Sequence, residues 1–364
     1  MPTPIRKRRS ASPRRSQKLG LPPGSLVHLG ERKTELPTIT MMDYDASGLE
    51  EVRFRSLAEA QARQRHRTSL WLNVHGLHDT AVMGEIGKRF NLHPLVLEDI
   101  LHTGQRAKVE SYGDYLYIVL RFADYDAASR QVVQEQVSLV LGADFLLTFQ
   151  ERSSGAFDAI RGRLRSDGSP LRAQGADYLA YSLIDAIVDR YFAVLESLSD
   201  LAEDLEEKAL VSASPAVLAE ITHLKREATT LRRAVWPLRE TVNQLARGDF
   251  ALFRSATLPY LRDVYDHSVH VLESVEAIRD LVGDMMDIYL SSVSNRLNAE
   301  VRILTVITTV FVPATLIASI FGMNFHRMPL LDEPDGFYVA LAMMAAAAVT
   351  MGALFWRRNW LSSR

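Results

Sequence analysis

The 364-residue chain has no cysteine. That absence excludes disulfides, thiolate zinc sites, iron–sulfur clusters and cysteine nucleophiles together. It also lacks a G-x-x-x-x-G-K-[ST] phosphate loop, so no such machinery is present to hydrolyse a nucleotide. Residues 1–18 hold no carboxylate, and all their charge is positive: Arg6, Lys7, Arg8, Arg9, Arg14, Arg15 and Lys18. Charge of either sign is missing from Ile303–Phe321 and Phe337–Trp356, runs of 19 and 20 residues. The whole chain carries −2 and its tip +7, which leaves −9 on the remainder. With 47% hydrophobic and 24% charged residues, wholesale disorder is excluded.

Residues 1–30 are rich in Arg, Ser, Pro and Gly, and read as a disordered basic tail. They hold no seven-residue apolar run, so they do not form a secretory signal. The Arg- and Ser-rich start has the composition of an organellar transit peptide, but its prolines spoil an amphipathic helix. A tail that stays in the cytoplasm and touches acidic lipid fits better.

Residues 31–172 read as an α/β domain. Thr38–Met41, Leu70–Val74, Tyr115–Phe122, Gln136–Leu141 and Phe145–Phe149 predict strands. Gly142-Ala143-Asp144 joins the last two at hairpin distance, so part of the sheet is antiparallel. Ala81–Phe90 and Pro94–Leu101 have helical periodicity. Residues 173–255 predict a helical hairpin, running from Tyr178 to Leu210 and then from Ser214-Pro215 to Ala246, with Gly248-Asp249 as the break. Residues 256–321 predict one stalk segment whose helix, continuous from Pro259 to Phe321, spans roughly 95 Å at 1.5 Å per residue, too long for a globular domain. The fold class is therefore an α+β domain followed by long helices and two C-terminal transmembrane helices.

Both uncharged runs suffice to cross about 30 Å of hydrocarbon. Arg296 and Arg302 precede the first span, and Arg357, Arg358 and Arg364 follow the second. The connecting segment 322–336 has only Arg327 beside Asp332, Glu333 and Asp335. This asymmetry places both termini inside a cell membrane and the loop outside. Residues 357–364 are then a basic cytoplasmic tail.

The second span is mostly Ala, Met and Val, whereas the first carries Thr305, Thr308, Thr309, Thr315 and Ser319. Positions 298, 301, 305, 308, 312, 315 and 319 fall on one helix face. Each hydroxyl alone would bond its own i−4 carbonyl or glue helix to helix. A stripe along the whole span points instead to an aqueous path. Two spans enclose no path, so several copies must surround one axis. Pro313 leaves the Thr309 carbonyl without its helical donor, and the expected kink would shape the pore wall. The stripe has no carboxylate, which suits a hydrated divalent cation: neutral oxygens hold its water shell without trapping it. Two charges falling through about 100 mV release roughly 4.6 kcal/mol, enough to drive uptake.

Gly322-Met323-Asn324, within Ile320-Phe321-Gly322-Met323-Asn324-Phe325 and before Met328-Pro329, resembles the signature of the CorA family of magnesium and cobalt transporters. His93–Ile100, Gln136–Leu139, Trp236–Glu240, Asp263–His267 and Tyr289–Asn295 also resemble bacterial CorA blocks. The likeness extends over roughly residues 35–364. It implies a homopentameric, funnel-shaped channel for Mg²⁺, with Co²⁺ and Ni²⁺ as further substrates, gated by negative feedback from internal Mg²⁺. Gly322, Met323 and Asn324 would form the selective outer mouth. Asn298, Val301, Leu304, Thr305, Val312, Thr315 and Ser319 would line the pore, with Val301 and Val312 where the family often has methionine. Asp99 and Asp287, facing each other across subunits, would hold a regulatory Mg²⁺. Glu98, Asp185 and Asp263 match a second acidic cluster, and Arg357 and Arg358 match the basic tail. The partners implied are further copies of the chain, the lipid bilayer and divalent cations, with no nucleic acid, no nucleotide and no enzymatic activity.

Two features stand outside this reading. Glu196, Asp200, Glu203, Asp204, Glu206 and Glu207 form an acidic helix face, either a solvated surface or a concentrator of cations. His75-Gly76-Leu77-His78-Asp79 resembles half of a metal-hydrolase site, but no second cluster completes it. A zinc transporter of the same architecture and a non-conducting membrane scaffold remain as alternatives.

Overall fold

The computed structural model describes residues 20–30, 32–54, 59, 66–211, 214–323, 328–330 and 333–358. The chain divides into two compact units: residues 1–206 with 219–283, and residues 207–218 with 284–364.

The first unit is built on a seven-stranded sheet in the order β2-β1-β3-β7-β6-β5-β4. Its strands are β1 (Thr38–Asp45), β2 (Gly48–Phe54), β3 (Ser69–His75), β4 (Lys108–Ser111), β5 (Tyr115–Asp126), β6 (Gln131–Gly142) and β7 (Phe145–Gln150). Only the central β3–β7 pair is parallel; the other neighbours are antiparallel. All five strands expected from the sequence are present, and the β6–β7 hairpin turns where expected, with Leu141 opposite Leu146. The two unforeseen strands are the sheet's edges. Gly48–Phe54 reads GLEEVRF and Lys108–Ser111 reads KVES, because an edge strand is half in water and needs no apolar alternation.

Every residue of β3 is buried, so both faces of the sheet centre are covered. On one face, Leu70, Leu72 and Val74 join a core completed by α1 (Thr80–Arg89) and α2 (Pro94–Leu101). Asp79 caps α1 by accepting from the amides of Ala81 and Val82 at 3.0 and 3.2 Å, and His93 Nδ1 caps α2 by accepting from Leu95 at 3.2 Å. On the other face, Trp71 meets Phe157 edge to face at 6.3 Å, next to α3 (Asp158–Arg165). Trp71 Nε1 donates to Thr148 Oγ1, which donates to Asn73 Oδ1, so this buried polar layer is internally satisfied.

Three long helices follow: α4 (Ala176–Val211), α5 (Pro215–Ala246) and α6 (Leu258–Phe321). Ser214 Oγ accepts from the Val217 amide and starts α5 as its Ser-Pro pair predicts, while Gly248 takes a φ of 80° beyond its end. Within the first unit, α6 buries Leu261, Val264, Ser268, Val271, Val275, Ile278 and Val282. Their alternating spacing of three and four is a coiled-coil seam. Asp177, at the start of α4, ties the hairpin to α6. It accepts from Thr257 Oγ1 at 2.6 Å and from Arg254 Nε at 2.9 Å.

The 64-residue α6 runs without interruption through Pro313. In the second unit, its apolar 18-residue stretch is wholly unburied, and so is nearly all of α7 (Gly336–Arg357). Phe311, Phe337 and Trp356 are 64, 73 and 77% exposed. Buried core helices, the soluble alternative for these runs, would not leave such surface uncovered, and hydrocarbon or neighbouring copies must cover it.

Candidate functional site: a polar helix face and an acidic cluster

In the first apolar run, Val301, Leu304, Thr305, Thr308, Val312, Thr315 and Ser319 are all exposed, as is Asn298 upstream. Most half-covered positions, among them 299, 306, 310, 313, 314 and 317, lie on the other side of α6. The polar stripe is therefore free of its own chain. Thr309 is half covered and sits on the stripe's flank.

Three of its hydroxyls are spoken for as donors. Thr305, Thr308 and Thr315 donate to the carbonyls of Val301, Leu304 and Phe311 at 2.8, 2.8 and 2.9 Å. A donating hydroxyl keeps its oxygen lone pairs, so each presents an acceptor outward. The waters of a hydrated cation turn their hydrogens away from the metal. A wall of acceptors is the complementary surface.

At the end of α6, the Gly322 amide donates to Ala318 and the Met323 amide to Ile320, and Met323 is half exposed. Asn324 and Arg327 lie outside the described residues, as do Arg364 and most of the N-terminal tail. Arg357 closes the last turn of α7, and Arg358 caps it by donating to Leu354 O.

The acidic residues singled out by the motif pattern stand in different surroundings within one copy of the chain. Asp99, on α2, is already occupied: its Oδ2 accepts from Lys108 Nζ at 2.7 Å and its Oδ1 from Gln105 Nε2 at 2.7 Å. Lys108 also reaches Glu110. Asp287 is exposed on α6 and belongs to the second unit, Asp99 to the first. Glu98 accepts from the Gly24 amide at 2.6 Å.

Asp185 of α4 does join a metal-competent group, but with partners the sequence reading missed. One ligand atom each from Asp185, Asp189 and His267 lies within 4.8 Å of the others. Asp263 stands beside them, 4.0 Å from His267 Nε2. Burial, then the charge of Asp189, raises the Asp185 carboxyl to about 6. His267 Nδ1 is buried without a hydrogen-bond partner among the described residues. An imidazole with one unpartnered nitrogen, set among carboxylates that repel each other, fits a bound divalent cation. The missed signal was a pair of i,i+4 spacings, Asp185/Asp189 and Asp263/His267, which put both groups on facing helix stripes.

The His75 motif is structural. His75 is buried against Gln150 Oε1 at 3.1 Å, burial lowers its pKa to about 4, and Asp79 is spent as the α1 cap. The acidic run from Glu196 to Glu207 is almost entirely exposed, as a solvated face would be.

Residues 67–358 match the family model described as "CorA-like Mg2+ transporter protein". The chain is 42% identical over 348 residues to the "Cobalt/magnesium transport protein CorA" of Thermotoga maritima, covering 96% of this chain and 99% of that one. It is 26% identical to the "Magnesium transport protein CorA" of Escherichia coli, covering 83% and 95%. In fold it resembles the complete CorA structure from Methanocaldococcus jannaschii, with a TM-score of 0.78 at 20% identity over 90% of this chain and 99% of that one. The full-length CmaX structure gives 0.72 at 21% identity, covering 91% and 100%.

Proposed function

The chain belongs to the CorA-like Mg²⁺ transporter family, and from that premise we propose that it forms a channel-like path for hydrated Mg²⁺, with Co²⁺ as a second substrate. The observation that carries this reading is the uncovered polar face of α6, which offers neutral acceptors along the whole first span and no fixed charge. Two spans per chain require several copies around the axis, and the reading takes the assembly as a homopentamer with both termini in the cytoplasm. Asn298, Val301, Leu304, Thr305, Val312, Thr315 and Ser319 then face the path. Leu304 and Val312 narrow it with apolar collars, while the threonines hold the ion's water. Gly322, Met323 and Asn324 form the outer mouth, where a ring of amide oxygens selects by hydrogen-bonding the hydrated ion. The membrane potential draws the cation inward.

Feedback in this reading comes from cations bound on the cytoplasmic side. The carboxylates of Asp99 and Asp287 from adjacent copies would repel unless a divalent ion joined them, so Mg²⁺ favours the closed arrangement. At Asp99 that ion must displace Lys108. The Asp185–Asp263 cluster, extended here to Asp189 and His267 and approached by Glu98 in the family pattern, suits a cation more directly. Its mixed oxygen and nitrogen donors favour Co²⁺ over Mg²⁺.

Flux into liposomes holding a Mg²⁺-sensitive dye tests the whole reading. The wild-type protein should conduct Mg²⁺, and Asn324→Ala should abolish selective uptake. Wild-type liposomes without flux would leave a membrane scaffold, and preference for Zn²⁺ over Mg²⁺ would leave a zinc transporter.

A further inference from the structure

One cavity of the first unit has nothing to do with cations. It encloses about 590 Å³ between the α2–β4 loop, β5, β6 and α5, and its lining includes Arg106, Arg121, Arg232 and Arg233 but no carboxylate. Within a chain whose body is acidic, four guanidinium groups around one hollow repel each other. Arg232 Nε donates to Glu276 Oε1, a carboxylate that Arg279 shares, and Arg121 feels the charge of Glu151. Arg121 donates to the Thr103 carbonyl at 2.8 Å, which satisfies a hydrogen bond without cancelling its charge. Burial also lowers the Arg121 pKa, the mark of a guanidinium held partly out of water. Arg106 and Arg233 are exposed and have no ion pair among the described residues. The cavity therefore presents an excess of about two to three positive charges on forked donors.

Its remaining wall is aromatic. Trp236 lines the cavity and is 51% exposed, an uncommon position for so large an apolar ring. The guanidinium carbons of Arg232 and Arg239 stand 5.5 and 5.2 Å from its ring centroid and hold the indole in place.

We propose that this cavity binds an oligophosphate chain, borne by a nucleoside triphosphate or free as inorganic triphosphate. A single carboxylate would leave most of the charge unanswered and a monophosphate would engage only some of the arginine forks, whereas an oligophosphate places several oxygens against all of them at once. The volume is that of an ordinary small-molecule site. The open half of Trp236 offers a flat apolar surface to a base, so the nucleotide is the stronger ligand of the two. The missing phosphate loop bears on hydrolysis, not on binding, and the ligand leaves the site unchanged. The assignment does not depend on conduction, because it rests on residues outside the pore face.

The test is equilibrium binding to the full-length protein in nanodiscs, without divalent cations, using ATP, ADP, AMP and inorganic triphosphate. Affinity should fall in the order ATP, ADP, AMP, and high salt should weaken all of them. Arg106→Ala with Arg233→Ala should weaken ATP by about tenfold or more. The paired lysine substitutions, which keep charge but lose the fork, should recover only part of it. Trp236→Leu should weaken ATP and spare triphosphate if the base stacks, and should leave both alike if the ligand is the free anion. An unchanged melting profile of each variant shows that it has folded. AMP binding as tightly as ATP, an undiminished double-alanine variant, or no binding of any of the four would overturn the proposal. The last result would point to a neighbouring copy filling the cavity.

Discussion

Lys108 Nζ lies 2.7 Å from Asp99 Oδ2 and also bridges to Glu110, so one ammonium sits between two carboxylates, one of which is the Asp99 proposed above to take part in Mg²⁺ sensing. The three side chains are 23–39% exposed, which limits the pair's own contribution to about 0–1 kcal/mol. Its consequence for cation binding is larger than for stability.

Lys108→Met should free Asp99 without unfolding the sheet edge. The melting temperature is expected to move little. Protection of the assembled protein from protease should set in at a lower Mg²⁺ concentration than in the wild type. An identical Mg²⁺ dependence in the two proteins would mean that Asp99 does not take part in sensing.

Acid sensitivity should trace in part to His75. Its pKa in the folded chain is held down to about 4 by burial and then by the charge of Arg161, against 6.5 in the unfolded chain. Between those values the unfolded state binds the extra proton, so stability is complete above about pH 6.5 and declines as pH falls towards 4. The penalty at the acid end is on the order of 3 kcal/mol. His75→Gln should flatten the melting-temperature profile in that window, whatever it costs at pH 7. A slope equal to that of the wild type would rule His75 out.

Asp177 is a brace between α4 and the start of α6. Burial alone would raise its pKa, but hydrogen bonds from Arg254 and Thr257 outweigh that and hold the carboxyl below its usual range. Such a group stabilises above its unfolded pKa, and the contribution disappears as pH falls through the lower folded value. Asp177→Ala should cost about 3 kcal/mol at pH 7, because Arg254 and Thr257 lose their acceptor. Near pH 3 the deficit should shrink, as followed by thermal denaturation of the detergent-solubilised protein. A deficit independent of pH would show a packing effect instead.

Thr315→Val keeps the shape of the side chain and removes its outward lone pairs. Mg²⁺ flux into liposomes should drop roughly fivefold, the value of about one lost hydrogen bond, while Thr315→Ser stays close to wild type. Equal flux in the valine and serine variants would remove the hydroxyl from the conduction path.

The local elements were largely legible in the sequence. Pro94–Leu101, the Ser214-Pro215 helix start and the β6–β7 turn fall where expected, since caps, breakers and periodicity act between neighbours along the chain. The uncharged runs fix two candidate spans, and a three- and four-residue spacing alone puts Thr305, Thr315 and Ser319 on one face. Tertiary structure decided what meets across distance. Asp185 and Asp189 find His267 only because α4 and α6 pack in one register, and Lys108 finds Asp99 only because edge strand β4 lies beside α2. The arginine cavity arises in the same way, from a loop, two strands and a helix far apart in the chain. Spacing specifies which face of a helix a side chain occupies, but sheet order and interhelical register determine what stands opposite, and one chain position carries no record of either.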